Sequence, residues 1–211
     1  MKHFTHSGRF KLFMRTAYLF CILSSGFIFC SKSPAQTGWY EQTLPVSGTI
    51  SDMQFIDSQT GWITLYSPFN FIKTTNGGKN WEILYSGTRQ FGSIDFLNDS
   101  LGYAIGSDNM FNGMISKTTN GGINWTAVYT GVRRYTALDL INQDTGWFGA
   151  FLGDDVQIIR TTNGGQTLEL QYSYASAGQG INEVFFVDKP FDGYFYGWFI
   201  NNGFMSKTTN S

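Results

Sequence analysis

The feature that most constrains this chain is a short phrase that returns at a nearly fixed interval. Thr74-Thr75-Asn76-Gly77-Gly78-Lys79-Asn80-Trp81 comes back as Thr118-Thr119-Asn120-Gly121-Gly122-Ile123-Asn124-Trp125. It comes back again, less faithfully, as Thr161-Thr162-Asn163-Gly164-Gly165-Gln166-Thr167-Leu168, and a fourth copy opens at Thr208-Thr209-Asn210 before Ser211. The leading threonines stand 44, 43 and 47 residues apart. A period of that length marks a repeat architecture, in which each unit is one supersecondary element that cannot bury its apolar face alone.

Each unit holds four segments. The first alternates apolar and polar residues, as in Ser51–Ile56, Gly92–Leu97, Thr136–Ile141 and Asn182–Val187, the period-two pattern of a half-buried strand. A polar turn such as Asp57-Ser58-Gln59-Thr60-Gly61 follows, with an Asx residue suited to bonding its own backbone. The second segment starts on Trp62, Tyr103, Trp147 or Trp198. The third runs into the repeated phrase, as in Phe71-Ile72-Lys73, and the fourth leaves it, as in Glu82-Ile83-Leu84-Tyr85. Four short antiparallel strands in about 44 residues, with no helical periodicity, are a β-propeller blade. The expected fold is an all-β propeller of about four blade equivalents in units of roughly 44–86, 87–130, 131–173 and 174–211. Residues 38–43 read as a leading fourth strand, since Trp39 lies 42 residues before Trp81. That strand pairs with Met205–Thr209 if the ring closes. A sequence that stops inside the fourth phrase favours an incomplete ring, or a fragment of a larger propeller.

Residues 1–35 read as a cleavable signal peptide. Lys2, Arg9, Lys11 and Arg15 form a positive start, residues 16–30 an apolar stretch short for a bilayer, and Ser33-Pro34-Ala35 a small-residue cleavage site. Phenylalanine precedes both Cys21 and Cys30, which argues against lipidation. The expected location is secreted or periplasmic, with no stable membrane insertion once the leader is gone. Both histidines and both cysteines leave with it, which excludes Ser-His-Asp and Cys-His relays and the common zinc sites. Nine basic residues then face 15 acidic ones, a net charge of about −6 that disfavours nucleic acid.

Within the repeated phrase the asparagine can cap a tight turn, the glycines allow left-handed backbone, and the following aromatic can fill the space between sheets. These residues resemble the Asp-box, or bacterial neuraminidase repeat, of the form S/T-x-D/N-x-G-x-T/N-W. Thr74, Asn76, Gly78, Asn80 and Trp81 fit it, as do Thr118, Asn120, Gly122, Asn124 and Trp125. Thr161, Asn163, Gly165 and Thr167 fit as far as Leu168, which departs. With the Gly-Trp strand starts, the phrase most resembles the photosystem II assembly and stability factor family. That resemblance implies a protein-binding scaffold or assembly factor without cofactor or metal. The same boxes occur in sialidases and glycanases, so fold is better specified than function.

The chemistry available points the same way. A sialidase-like site needs three arginines from separate blades around a carboxylate. After the leader only Arg89, Arg133, Arg134 and Arg160 remain, and Arg160 occupies the strand position of Lys73 and Lys117. A two-carboxylate glycanase finds acids at Asp52, Asp95, Asp139 and Glu183, but their recurrence at what reads as one strand position argues for a structural role. No catalytic residue is assigned. Arg89 and Arg133 each lie eight residues after a box tryptophan, in the links between blades, beside Phe91, Arg134 and Tyr135. These five residues are the expected binding patch for a protein partner, with a glycan as the alternative. Pro68–Phe71 and Asp108–Phe111 fall in the other loop set and extend that surface. Asp154-Asp155 alone is too few oxygens for calcium.

Overall fold

Polar and apolar residues alternate along the first strand of each unit, the second strand is apolar and buried along most of its length, and the segments pair with their neighbours as antiparallel sheets. The computed structural model describes residues 41–108, 110–175, 181–187, 197–201 and 204–208, without the side chains of 197–201, 204 and 206. They lie in the compact unit Glu41–Ser211. The first sheet is β1 (Thr49–Phe55), β2 (Gly61–Tyr66), β3 (Phe69–Thr74) and β4 (Glu82–Gly87). The second is β5 (Gln90–Phe96), β6 (Gly102–Ser107), β7 (Gly113–Thr118) and β8 (Thr126–Gly131). The third is β9 (Arg134–Leu140), β10 (Gly146–Leu152), β11 (Asp155–Thr161) and β12 (Glu169–Ala175). In the last sheet β13 (Ile181–Phe186), β14 (Gly197–Asn201) and β15 (Phe204–Thr208) are described. No helix occurs among the described residues. Residues 38–40 of the expected leading strand lie outside them, and Glu41–Thr43 carry no strand.

Each sheet is stitched to the next by one recurrent pair of contacts. Gln54, Asp95 and Asp139 face Trp62, Tyr103 and Trp147 across their own strand pairs. Each then accepts a hydrogen bond from the first strand of the following sheet: Gln54 Oε1 from Phe96 N, Asp95 Oδ2 from Leu140 N, Asp139 Oδ2 from Phe186 N. The side chains of those same donor residues pack on the facing aromatic. Trp62 stacks on Phe96 and Trp147 on Phe186, both at 3.7 Å between centroids, and Tyr103 shares a core with Leu140. A stacked pair adds about 0.5–1.5 kcal/mol to its burial. The glycine before each aromatic has a reason too: a Cβ on Gly61, Gly102 or Gly146 would sit within 2.6 Å of Phe55, Phe96 or Leu140.

A cation lies over each of these aromatics. Lys73 lies over Trp62, Lys117 over Tyr103 and Arg160 over Trp147, at 4.9, 5.3 and 5.4 Å. Arg160 is therefore a strand residue that packs its sheet, as its position in the repeat requires.

The register corrects the expected equivalence of the four acids. Asp95 and Asp139 stand opposite Tyr103 and Trp147, whereas Asp52 and Glu183 stand opposite Thr64 and Ile200, two residues further along β2 and β14. Asp52 Oδ2 accepts from Ser93 Oγ at 2.6 Å and Ile94 N at 2.8 Å, a second staple between the first two sheets.

Candidate functional site

The two ends of the sheets differ in construction, and the difference decides which can bind. At one end lie the repeated phrases. Thr74 Oγ1 accepts from Asn76 N and Gly78 N at 3.3 and 3.0 Å, and donates to Asn76 Oδ1 at 3.0 Å. Asn76 Oδ1 in turn accepts from Asn80 N at 2.9 Å. Thr118, Asn120, Gly122 and Asn124 make the same four bonds, as do Thr161, Asn163, Gly165 and Thr167. The glycine pair is left-handed in all three, with φ from 68° to 94°. Each turn also donates from its first glycine N to a carbonyl of the polar turn beside it: Gln59, Ser100 and Asp144. Those turns close on their own Asx side chains, Asp57, Asn98 and Asn142. The backbone bonds hold the exposed Asp57 carboxyl below the usual range. Trp125 packs edge-on against Phe71 and Phe96 between the first two sheets, and Leu168 takes the matching place beside Tyr103 and Leu140. The threonine hydroxyl and asparagine carbonyl of each box are used by its own turn, and its aromatic or leucine packs between sheets, so this end is structural.

The opposite end carries the links between sheets and the loops between second and third strands. There a cleft of about 340 Å³ is lined by Gln90, Ser107, Phe111, Arg134, Tyr135 and Phe151, with Tyr66 and several glycines. Arg134 is exposed, its guanidinium 5.8 Å from the Phe151 ring centre. Arg133 is turned aside, its Nε donating to Gln157 Oε1 at 2.8 Å. Arg89 rests against the Trp125 carbonyl through Nη1, at 3.5 Å.

Two members of the expected patch are core residues. Phe91 is 2% exposed and packs with Trp62, Phe71 and Trp125. Tyr135 is 7% exposed, lends only an edge to the cleft, and has its hydroxyl pushed well above the ordinary value by burial and then by Tyr129. The cause is a bulge in each link strand, between Phe91 and Ser93 and opposite the Gly149/Ala150 step. It turns Phe91 and Ile94, three residues apart, to the same side. Asn70 and Phe71 of the second loop set are also buried, while Met110 and Phe111 are 75% and 81% exposed. Sequence reading passed over Tyr66, Gln90, Ser107 and Phe151, whose signal is their matched place in successive units: Tyr66, Ser107 and Phe151 each stand four residues after Trp62, Tyr103 or Trp147.

Consecutive four-stranded sheets, linked outer strand to inner and pinned at one corner by the threonine–asparagine–glycine turn, are the blades of an Asp-box β-propeller, and that is the class of this chain. Its repeats are similar to those of the photosystem II assembly factors: residues 31–134 match the family model described as photosynthesis system II assembly factor YCF48. No curated protein matches. Solved structures with this fold include YCF48 bound to D1 peptide (19% identity, TM-score 0.52, 79% of this chain and 56% of that one). YCF48 from Cyanidioschyzon merolae is similar at 16% identity and TM-score 0.55, over 80% and 59% of the two chains. So is the GH74 xyloglucanase from Xanthomonas campestris, at 13% and 0.59, over 77% and 28%. The chain thus spans little more than half of the YCF48 structures and about a quarter of the xyloglucanase, and the likeness is one of fold.

Proposed function

We propose that this is an exported, non-catalytic propeller that serves as a protein-binding scaffold or assembly factor. The observation that carries the reading is the cleft at the link end, where the cation of Arg134 meets aromatic surface and none of the described lining residues is a carboxylate. An arginine beside aromatic rings is the composition of a protein-recognition hot spot. The match to an assembly-factor family supports the same reading, as does the likeness to a structure of YCF48 bound to D1 peptide. Export rests on the N-terminal leader sequence. Among the described residues no helix is long and apolar enough to cross a membrane.

The second reading, carbohydrate binding or cleavage, draws on the GH74 likeness and on the exposed aromatics. Cleavage needs a pair of carboxylates free to act on a glycosidic bond. Asp95 and Asp139 instead hold backbone N–H groups of the neighbouring blades. A pull-down from extracytoplasmic extract, run beside a glycan array on the same preparation, separates the two. The scaffold reading expects a defined protein partner; glycan binding abolished by a cleft-aromatic substitution, with no protein captured, overturns it.

A further inference from the structure

The cleft exists because one blade breaks the pattern of its neighbours. Tyr66 and Phe151 occupy equivalent places at the ends of β2 and β10, and Ser107 occupies that place at the end of β6. A small side chain between two aromatics leaves a notch, floored by Gly92, Gly106 and Gly113. The ring missing from the strand reappears four residues on as Phe111, at the notch rim. It is held there at a cost: its φ is +63°, a conformation that bulky residues avoid, and the residue is 81% exposed. Asp108 secures the turn by accepting from Met110 N, Asn112 N and Asn112 Nδ2 at 2.8, 2.9 and 3.0 Å. The Asn112 bond leads the causes that keep the Asp108 carboxyl below its usual range. Strain and exposure spent on one residue beside a cleft indicate a contact made in the bound state.

The polar groups narrow the chemistry. Gln90 accepts from Ser107 Oγ at 3.2 Å through Oε1, and its Nε2 has no acceptor among the described residues. Arg134 supplies the cation, and among the described lining residues none is a carboxylate. Beside the hydroxyls of Tyr66, Ser107 and Thr136, the Arg134 guanidinium and the Gln90 amide N–H are donors that a carboxylate would satisfy together. The walls are aromatic. At about 340 Å³ the notch is at the small end of ligand pockets, room for a pair of side chains. We infer that the notch receives an extended segment of a partner protein in which a carboxylate side chain sits beside an aromatic or large aliphatic one. The carboxylate meets Arg134 and Gln90, and the apolar side chain lies between Phe111 and Phe151. This rests on the protein-binding reading above, and it assigns the chemistry of the partner and the residues that read it.

The test is an NMR titration of the full-length chain with three capped Gly/Ser peptides, carrying Glu-Phe, Gln-Phe or Glu-Ala at the centre. The Glu-Phe peptide is expected to shift the amide signals of Gly92, Gly106 and Gly113 saturably, with the other two weaker by about tenfold, the loss of a charged contact or an aromatic anchor. Ser107→Tyr restores the aromatic of the flanking blades, and is expected to abolish the shifts while leaving the melting temperature within a few degrees. Phe111→Ala, at an exposed loop tip, is expected to weaken binding by about fivefold. Equal binding of the Gln-Phe peptide, shifts that survive Ser107→Tyr, absence of binding by all three peptides, or a response of these amides to a neutral oligosaccharide alone would each overturn the inference. If the Ser107→Tyr chain still captures the protein partner in the pull-down, the notch is not the recognition site and the scaffold reading stands. A glycan-only response removes both.

Discussion

The backbone N–H of Leu140 donates to the carboxylate of Asp95 across the boundary between the second and third blades, at 2.8 Å. Gln54 and Asp139 make the corresponding bond at the boundaries on either side. The blades therefore share the polar groups of their first strands as well as their apolar faces. Asp95→Ala leaves a half-buried N–H without its charged acceptor and is expected to cost about 1–3 kcal/mol in urea denaturation. Asp95→Asn keeps an acceptor and is expected to cost less. An alanine variant as stable as the parent would show that the bond is incidental to blade docking.

Left-handed glycines, in a box or in a hairpin turn, are expected to be intolerant in proportion to what they touch. Gly122 has φ +94°, and a Cβ there would lie 2.2 Å from the Phe71 ring of the preceding blade. Gly153 has φ +61° with nothing within 4 Å. Gly122→Ala combines backbone strain with a clash and is expected to cost about 2–4 kcal/mol; Gly153→Ala carries strain alone, about 1 kcal/mol. Thermal melts of the two variants check the order, and equal losses would contradict the packing described for the box.

Burial, and then the nearby Asp52, raise the Glu183 carboxyl above its ordinary value. A raised acid contributes stability that is complete below the unfolded-state value and is lost as pH rises through the folded one. Glu183→Gln is therefore expected to melt higher than the parent near about pH 7 and at the same temperature near about pH 4. A variant that is stabilised equally at both would show that charge is not the cause.

Of the arginines singled out by the repeat, Arg89 and Arg133 already bond to the Trp125 carbonyl and Gln157, while Arg134 is open to the cleft. Arg134→Ala is expected to weaken capture of the protein partner by about tenfold, and Arg89→Ala with Arg133→Ala by less. Binding assays on the purified pair give the ranking. If the double variant loses more, recognition runs along the links and not into the notch.

Much of the fold was legible because the box residues and the Gly-aromatic strand starts act locally. Thr74, Asn76 and Gly78 satisfy one another within a single turn, so their spacing alone announces the turn. The start of the second strand was likewise readable at Trp62, Tyr103 and Trp147, since each has a glycine before it and a lysine or arginine opposite. The binding end was less legible, because bulges reset the alternation there. Phe91 and Tyr135 look like loop aromatics when alternation is counted from Gly92 and Thr136, and the bulges turn them inward. Asp52 and Asp95 seemed equivalent for a different reason: both are acids on a first strand, but Asp52 pairs with Thr64 and matches Ser93, while Asp95 pairs with Tyr103 and matches Gln54. Ser107 matters as an absence, visible only once Tyr66 and Phe151 are seen to flank it.

The most direct measurement is site-specific photo-crosslinking in the native host, comparing a benzophenone side chain at position 111 with one at position 123. Phe111 stands at the notch and Ile123 in the second box, 62% exposed and at the structural end. The account predicts one discrete protein adduct from position 111 and none from position 123. Adducts from position 123 alone, or equal adducts from both, would contradict it.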